Sequence, residues 1–295
     1  MGGKKFAVLL CAEDSEYVKK KYGGYFGVFV RMLAEEGETW DVFHVARGEF
    51  PDDDDFGSYD GYVITGSCND AHGNDVWICK LIALLKQLDS LRKKVLGICF
   101  GHQVLGRSLG AKIGRSLKGW DIGVTTVHLS SSSSSKLFSS LKMPAVLPVI
   151  ECHRDEVWEL PAKAEVIAWS DRTGIEMFKY GDHMMGIQGH PEYTKDILLH
   201  LIDRLLQRNF IVLSMINKSM DPSKLHACTL QPSHMNSEWT HIIHYSCERV
   251  VRVSCMLVLD KIIVRRFIPL EMLLSLIHMS SQKLSGQIML SAKIK

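Results

Sequence analysis

Residues 96–103, Leu-Gly-Ile-Cys-Phe-Gly-His-Gln, restrict the fold of this chain more than any other stretch. An apolar run, Lys94–Ile98, leads straight into Cys99, with Gly97 before it and Gly101 after it. A segment of helical pattern follows. A strand that ends on a reactive side chain and turns at once into a helix is a nucleophile elbow. Glycines at those two offsets let neighbouring backbone approach where a Cβ would clash. The free N–H groups of the following helix N-terminus favour a thiolate.

A second apolar run, Met184–Gln188, ends in Gly189-His190-Pro191-Glu192. A cysteine nucleophile needs a base for its proton, and the base needs a third group to fix its tautomer and orientation. His190 has the chemistry of the base. Glu192, two residues on, is in reach of its other ring nitrogen, and Pro191 stiffens the link. Each segment alone is ordinary, since a lone cysteine is usually packing and a lone His-x-Glu usually a solvated loop. Together they specify Cys99, His190 and Glu192 as a catalytic triad.

The pattern along the chain agrees. Apolar runs at Phe6–Cys11, Asp41–Ala46, Tyr62–Thr65 and Val95–Ile98 alternate with helical periodicity over about 16–36, broken at Gly23-Gly24, and over Val76–Leu91. Strands alternating with helices predict an α/β fold, a mostly parallel central sheet with helices on both faces. Catalytic groups then belong at the carboxyl ends of strands. Beyond Gly110 the pattern turns strand-rich, at Gly123–Leu129, Val146–Ile150, Ala164–Trp169, Ile175–Tyr180 and Met184–Gln188, before a closing helix at Thr194–Gln207. The serine run 130–135 reads as an exposed loop. The acids Asp52–Asp55 read as a solvated tip, without a ligand set for a metal.

With these motifs the chain resembles the class I glutamine amidotransferases over roughly residues 5–208, whose triad is Cys…His-x-Glu. Within that group it is most similar to the plant gamma-glutamyl peptidases. The more specific stretches are Asp14-Ser-Glu-Tyr-Val-Lys, Tyr22-Gly-Gly-Tyr-Phe, Phe50-Pro-Asp, Tyr59-Asp-Gly-Tyr-Val-Ile-Thr-Gly-Ser, Lys118-Gly-Trp-Asp-Ile-Gly and Cys152-His-Arg-Asp-Glu-Val. The resemblance implies a flavodoxin-like fold. It also implies attack by Cys99 on the side-chain carbonyl of a gamma-glutamyl unit, with release of glutamate. The oxyanion hole falls to the backbone N–H of Phe100 and to Gly66, on the loop after the third strand. Cys68 stands in that loop where relatives often carry proline. Gln103 matches a position that helps hold the glutamyl group, and Arg154 and Asp155 match a segment near the substrate. Their alternatives are a helix cap for Gln103 and a surface turn for the other two. His102 reads as a packed residue, turned away from the nucleophile. Glutathione and its conjugates are the implied substrates, on routes to sulfur defence metabolites such as glucosinolates. The implied reaction needs no cofactor.

A glutaminase subunit of an amidotransferase and an inactive binding or regulatory relative stay open as alternatives. No ATP-binding glycine-rich loop or second α/β pattern follows residue 208, which favours the peptidase. Net charge is +2, which argues for neither nucleic acid nor membrane as partner. Eight cysteines without a CxxC pair or regular spacing read as reduced thiols rather than a disulfide framework or zinc site, which fits the cytosol. Residues 209–295 carry 10 basic and 5 acidic residues, against 25 and 28 before them. Their apolar patches follow no steady period, and Asp260, Lys261, Arg265 and Arg266 interrupt the longest. They are expected to form a loosely packed tail rather than a second domain. Oligomeric state is not encoded in these patterns.

Overall fold

The structure, a computed structural model, describes residues 3–52, 54–130 and 144–207. The tail, most of the serine run and part of the acidic tip lie outside the described residues. The element order is β1 (Lys5–Leu9), α1 (Glu16–Tyr22), α2 (Gly24–Leu33), β2 (Thr39–Phe43), β3 (Gly61–Ile64), α3 (Val76–Ser90), β4 (Lys94–Ile98) and α4 (Phe100–Ser108). There follow β5 (Lys112–Arg115), β6 (Asp121–Leu129), β7 (Val146–His153), β8 (Asp155–Glu159), β9 (Ala164–Trp169), β10 (Met177–Tyr180), β11 (Met184–Ile187) and α5 (Lys195–Gln207).

Nine strands form one sheet in the order β2-β1-β3-β4-β11-β10-β9-β6-β7. The first five are mutually parallel; from β11 onward each neighbour is antiparallel. The sheet is therefore mixed. Its parallel half is the part the sequence pattern predicts, and its antiparallel half is the strand-rich stretch after Gly110. β5 and β8 pair separately as a two-stranded ribbon, which the apolar pattern does not announce.

Successive residues of a strand face opposite sides, so a sheet covered on both faces needs apolar residues at every position. β1 shows this. Ala7, Leu9 and Cys11 pack with Ile78, Leu81 and Leu85 of α3 and with Val104 and Leu105 of α4. Val8 and Leu10 pack with Phe29 and Leu33 of α2 on the other side. A smaller cluster joins Val18 of α1 and Val28 of α2 to Ile197, Leu198 and Ile202 of α5. The helical pattern over about 16–36 is divided into two helices at its glycine break. Gly23, at φ 77°, ends the first with its N–H bonded back to Lys19. Left-handed backbone of that kind is open to glycine at little cost.

Candidate active site

β4 and β11 are parallel neighbours, with Ile98 opposite Ile187 and Gly97 opposite Gly186. The residues that follow both strands therefore emerge side by side at the carboxyl end of the parallel strands. Cys99 donates its backbone N–H to the Ile187 carbonyl at 2.8 Å. It adopts φ 53° and ψ −104°, and Arg92 is the other non-glycine residue at positive φ among those described. A side chain held in that region is strained by about 1–3 kcal/mol, and such strain persists where surrounding structure imposes it. Here the elbow between β4 and α4 imposes it. The flanking glycines serve the role their spacing suggests. A Cβ on Gly97 would collide with the Gly101 carbonyl, and one on Gly101 with the Ile64 carbonyl.

His190 follows β11, and its backbone N–H is tied to the Ile150 carbonyl of β7 at 2.8 Å. Its Nδ1 lies 2.8 Å from Glu192 Oε1, with both side chains almost fully buried. A carboxylate at Nδ1 places the ring proton there and leaves Nε2 as the basic nitrogen. Tyr193 stacks on the imidazole with centroids 3.8 Å apart. A Cβ on Gly66 would lie 3.0 Å from His190 Cε1 and 3.7 Å from Cys99 Cβ, so this loop passes beside both. The loop is braced despite lacking a proline. Thr65 Oγ1 accepts from the Cys11 N–H at 3.0 Å, and Ser67 Oγ donates to the Cys11 carbonyl at 2.7 Å.

A cavity of about 780 Å³ opens over these groups and is lined by Gly66, Cys99, Gln103, Arg154, Asp155, His190 and Glu192 among others. Gln103 Nε2 is fully used, donating to the Asp155 carbonyl at 2.8 Å and to Gln188 Oε1 at 3.1 Å. Gln103 thus braces the β8 start against β11 rather than capping α4. Asp155 is no surface turn. Its buried carboxylate pairs with Arg115 at 2.9 Å and His72 at 3.3 Å. Arg154 is exposed at the corner between β7 and β8. Phe100 keeps its side chain in the core, stacked on Trp77. His102 is fully buried against Phe178, and burial pulls it down to about 3, so it is a neutral packed residue.

Electrostatically the site opposes a free thiolate. Burial, then the neighbouring Cys152, Glu151 and Glu192, push the Cys99 thiol well above its ordinary value, against the Phe100 N–H that lowers it. The helix-end effect expected from sequence is outweighed. A thiol in this setting reacts by giving its proton to a neighbouring base as it attacks.

Among the described residues no helix is long and apolar enough to cross a membrane. Tyr193, Cys152 and Arg115 also line the cavity. Sequence reading did not single them out as site residues, although Tyr193 in Gly-His-Pro-Glu-Tyr offers an aromatic within a turn of the base.

Residues 20–201 match the family described as Glutamine amidotransferase class-I. The chain is 52% identical over 205 residues to Gamma-glutamyl peptidase 5 of Arabidopsis thaliana, covering 69% of this chain and 81% of that one. To Gamma-glutamyl peptidase 3 of the same plant it is 47% identical over 234 residues, covering 79% and 92%. A glutamine amidotransferase of Thermotoga maritima, 19% identical, shares the fold with a TM-score of 0.62 over 91% of this chain and all of that one.

Proposed function

The chain belongs to the class I glutamine amidotransferase family, and from that premise we propose that it is a cysteine-dependent gamma-glutamyl peptidase. Its substrates are glutathione or glutathione conjugates, and the reaction releases glutamate. The observation that carries this reading is the buried His190–Glu192 pair beside Gly66 and Cys99 at the floor of one cavity.

The steps follow from the groups present. Cys99 Sγ attacks the gamma-carbonyl while its proton passes to His190 Nε2, so no isolated thiolate is held in the buried site. Glu192 keeps the proton on Nδ1 and stabilises the imidazolium. The oxyanion is placed toward the Phe100 and Gly66 backbone, whose donors are worth more in a water-poor pocket than in bulk solvent. The imidazolium protonates the leaving nitrogen as the C–N bond breaks. Neutral His190 then takes a proton from water, whose oxygen attacks the thioester, and glutamate leaves with the thiol restored.

Glutamate release from glutathione, a glutathione S-conjugate and glutamine, compared side by side, tests the reading. Turnover of the gamma-glutamyl peptides above glutamine, lost in Cys99→Ala, is the expected result. Preference for glutamine would make the chain a glutaminase, and glutamate release by folded Cys99→Ala would end the thiol mechanism.

A further inference from the structure

Behind the His190 turn sits a group of side chains that the proposed reaction does not use. Glu151 and His153 are two apart on β7 and share a face, and Glu176 comes in from the residue before β10. They are 0, 4 and 1% exposed. One ligating atom from each lies within 4.8 Å of the others. Neither oxygen of Glu151, neither oxygen of Glu176, nor His153 Nε2 has a hydrogen-bond partner among the described residues.

The tautomer of His153 sharpens the problem. Its Nδ1 is 3.0 Å from the Asp155 carbonyl, which only accepts, so Nδ1 carries the proton. In the neutral ring Nε2 then turns a lone pair toward Glu151 Oε2, 3.3 Å away. Two carboxyl groups and an imidazole nitrogen converge here on a common centre. Buried carboxylates cost several kcal/mol each, roughly, unless they take up a proton or something positive joins them. A histidine that donates one N–H to a backbone carbonyl and points its other nitrogen at carboxylates has the arrangement typical of a metal ligand.

We propose that Glu151, His153 and Glu176 form a binding site for one divalent first-row cation of the Mn²⁺ type. Two carboxylates and one imidazole suit such an ion, whereas the absence of thiolate disfavours a softer one. His153 also lines the cavity, which supplies an approach to the site. The cation would be felt at the reacting groups. A Cβ on Gly189, next to His190, would collide with Glu151 Oε1, and Glu151 is among the charges that oppose ionisation of Cys99.

The probe is Mn²⁺ itself, titrated into the full chain and followed by loss of the free-ion electron paramagnetic resonance signal. One bound ion per chain is expected, with nitrogen coupling from the imidazole. Glu176→Gln removes a ligand and is expected to weaken binding by at least the roughly 10–100-fold that loss of an outer-shell partner costs. His72→Ala controls for the more exposed Asp70, His72 and Asp155 group and is expected to leave binding unchanged. If Glu176→Gln does not fold by near-ultraviolet dichroism, Glu151→Gln replaces it under the same criterion. No Mn²⁺ bound to the wild-type chain overturns the site without reference to any variant. So does binding that survives the glutamate variants or disappears in His72→Ala.

Discussion

The phenol ring of Tyr193 lies flat on the imidazole of His190, with planes 5° from parallel. The stack holds the ring from one face while Glu192 holds its Nδ1 edge. Aromatic stacking of this kind contributes about 0.5–1.5 kcal/mol, which corresponds to roughly 2–12-fold in a rate that depends on ring orientation. Tyr193→Phe is therefore expected to retain turnover, and Tyr193→Ala to lower kcat by a factor in that range. Equal loss in both variants would assign the effect to the hydroxyl and remove the stacking argument.

The triad variants separate chemistry from orientation. Cys99→Ala and His190→Ala are expected to abolish glutamate release with the far-ultraviolet dichroism unchanged, because the backbone of both residues is held by backbone hydrogen bonds to Ile187 and Ile150. Glu192→Ala is expected to keep partial activity, since Tyr193 still holds the ring. Full activity in Glu192→Ala would show that the carboxylate is not needed to orient the base.

Gly101 is expected to be intolerant for a steric reason. The first turn of α4 packs so closely on the end of β3 that a methyl group would overlap the Ile64 carbonyl. Gly101→Ala should destabilise the fold by about 1–3 kcal/mol, the usual cost of overpacking, read as a lower urea midpoint. The elbow moves with it, so activity should fall further than stability alone explains.

Asp196 gives a pH test. It opens α5 and clips it to α1, accepting from Lys21 at 2.7 Å, Thr194 at 2.6 Å, Tyr17 at 2.5 Å and Tyr22 at 2.7 Å. Partial burial raises its carboxyl, and the hydrogen bonds from Lys21, Thr194, Tyr17 and Tyr22 outweigh it and hold the carboxyl well below the usual range. A folded value below the unfolded one means that this stability is fully present above the unfolded value, about 3.9, and is lost as pH falls below it. Melting temperature should drop on acidification below about pH 4. Asp196→Asn should flatten that drop and cost roughly 1–2 kcal/mol at neutral pH, allowing for solvent screening. An unchanged acid slope would mean that the clip contributes nothing.

Much of this architecture is readable from residues 1–110, because parallel strands buried on both faces give unbroken apolar runs, and glycines mark the turns. Lys94–Ile98 followed by Cys99 is the clearest case. The two-stranded ribbon of β5 and β8 is hidden, since Lys112–Arg115 and Asp155–Glu159 are half polar and pair across a gap of some 40 residues. Cys99, His190 and Glu192 stand out in the sequence as candidates because each lies at a fixed short spacing from the end of an apolar run. The Glu151, His153 and Glu176 group does not, because β7 and the residue before β10 are brought together only by the tertiary fold.

The register between β4 and β11 has a further consequence. Cys99 and His190 are 91 positions apart along the chain yet are set by one ladder in which Ile98 faces Ile187. The polypeptide between them runs out through the antiparallel half and returns. For the distance between Cys99 and His190, that whole excursion acts as a single long loop. Lengthening it at a surface turn leaves the pair untouched, whereas inserting one residue within either strand would turn one partner away from the other. The chain is thus free to vary along that excursion while Cys99 and His190 stay in step.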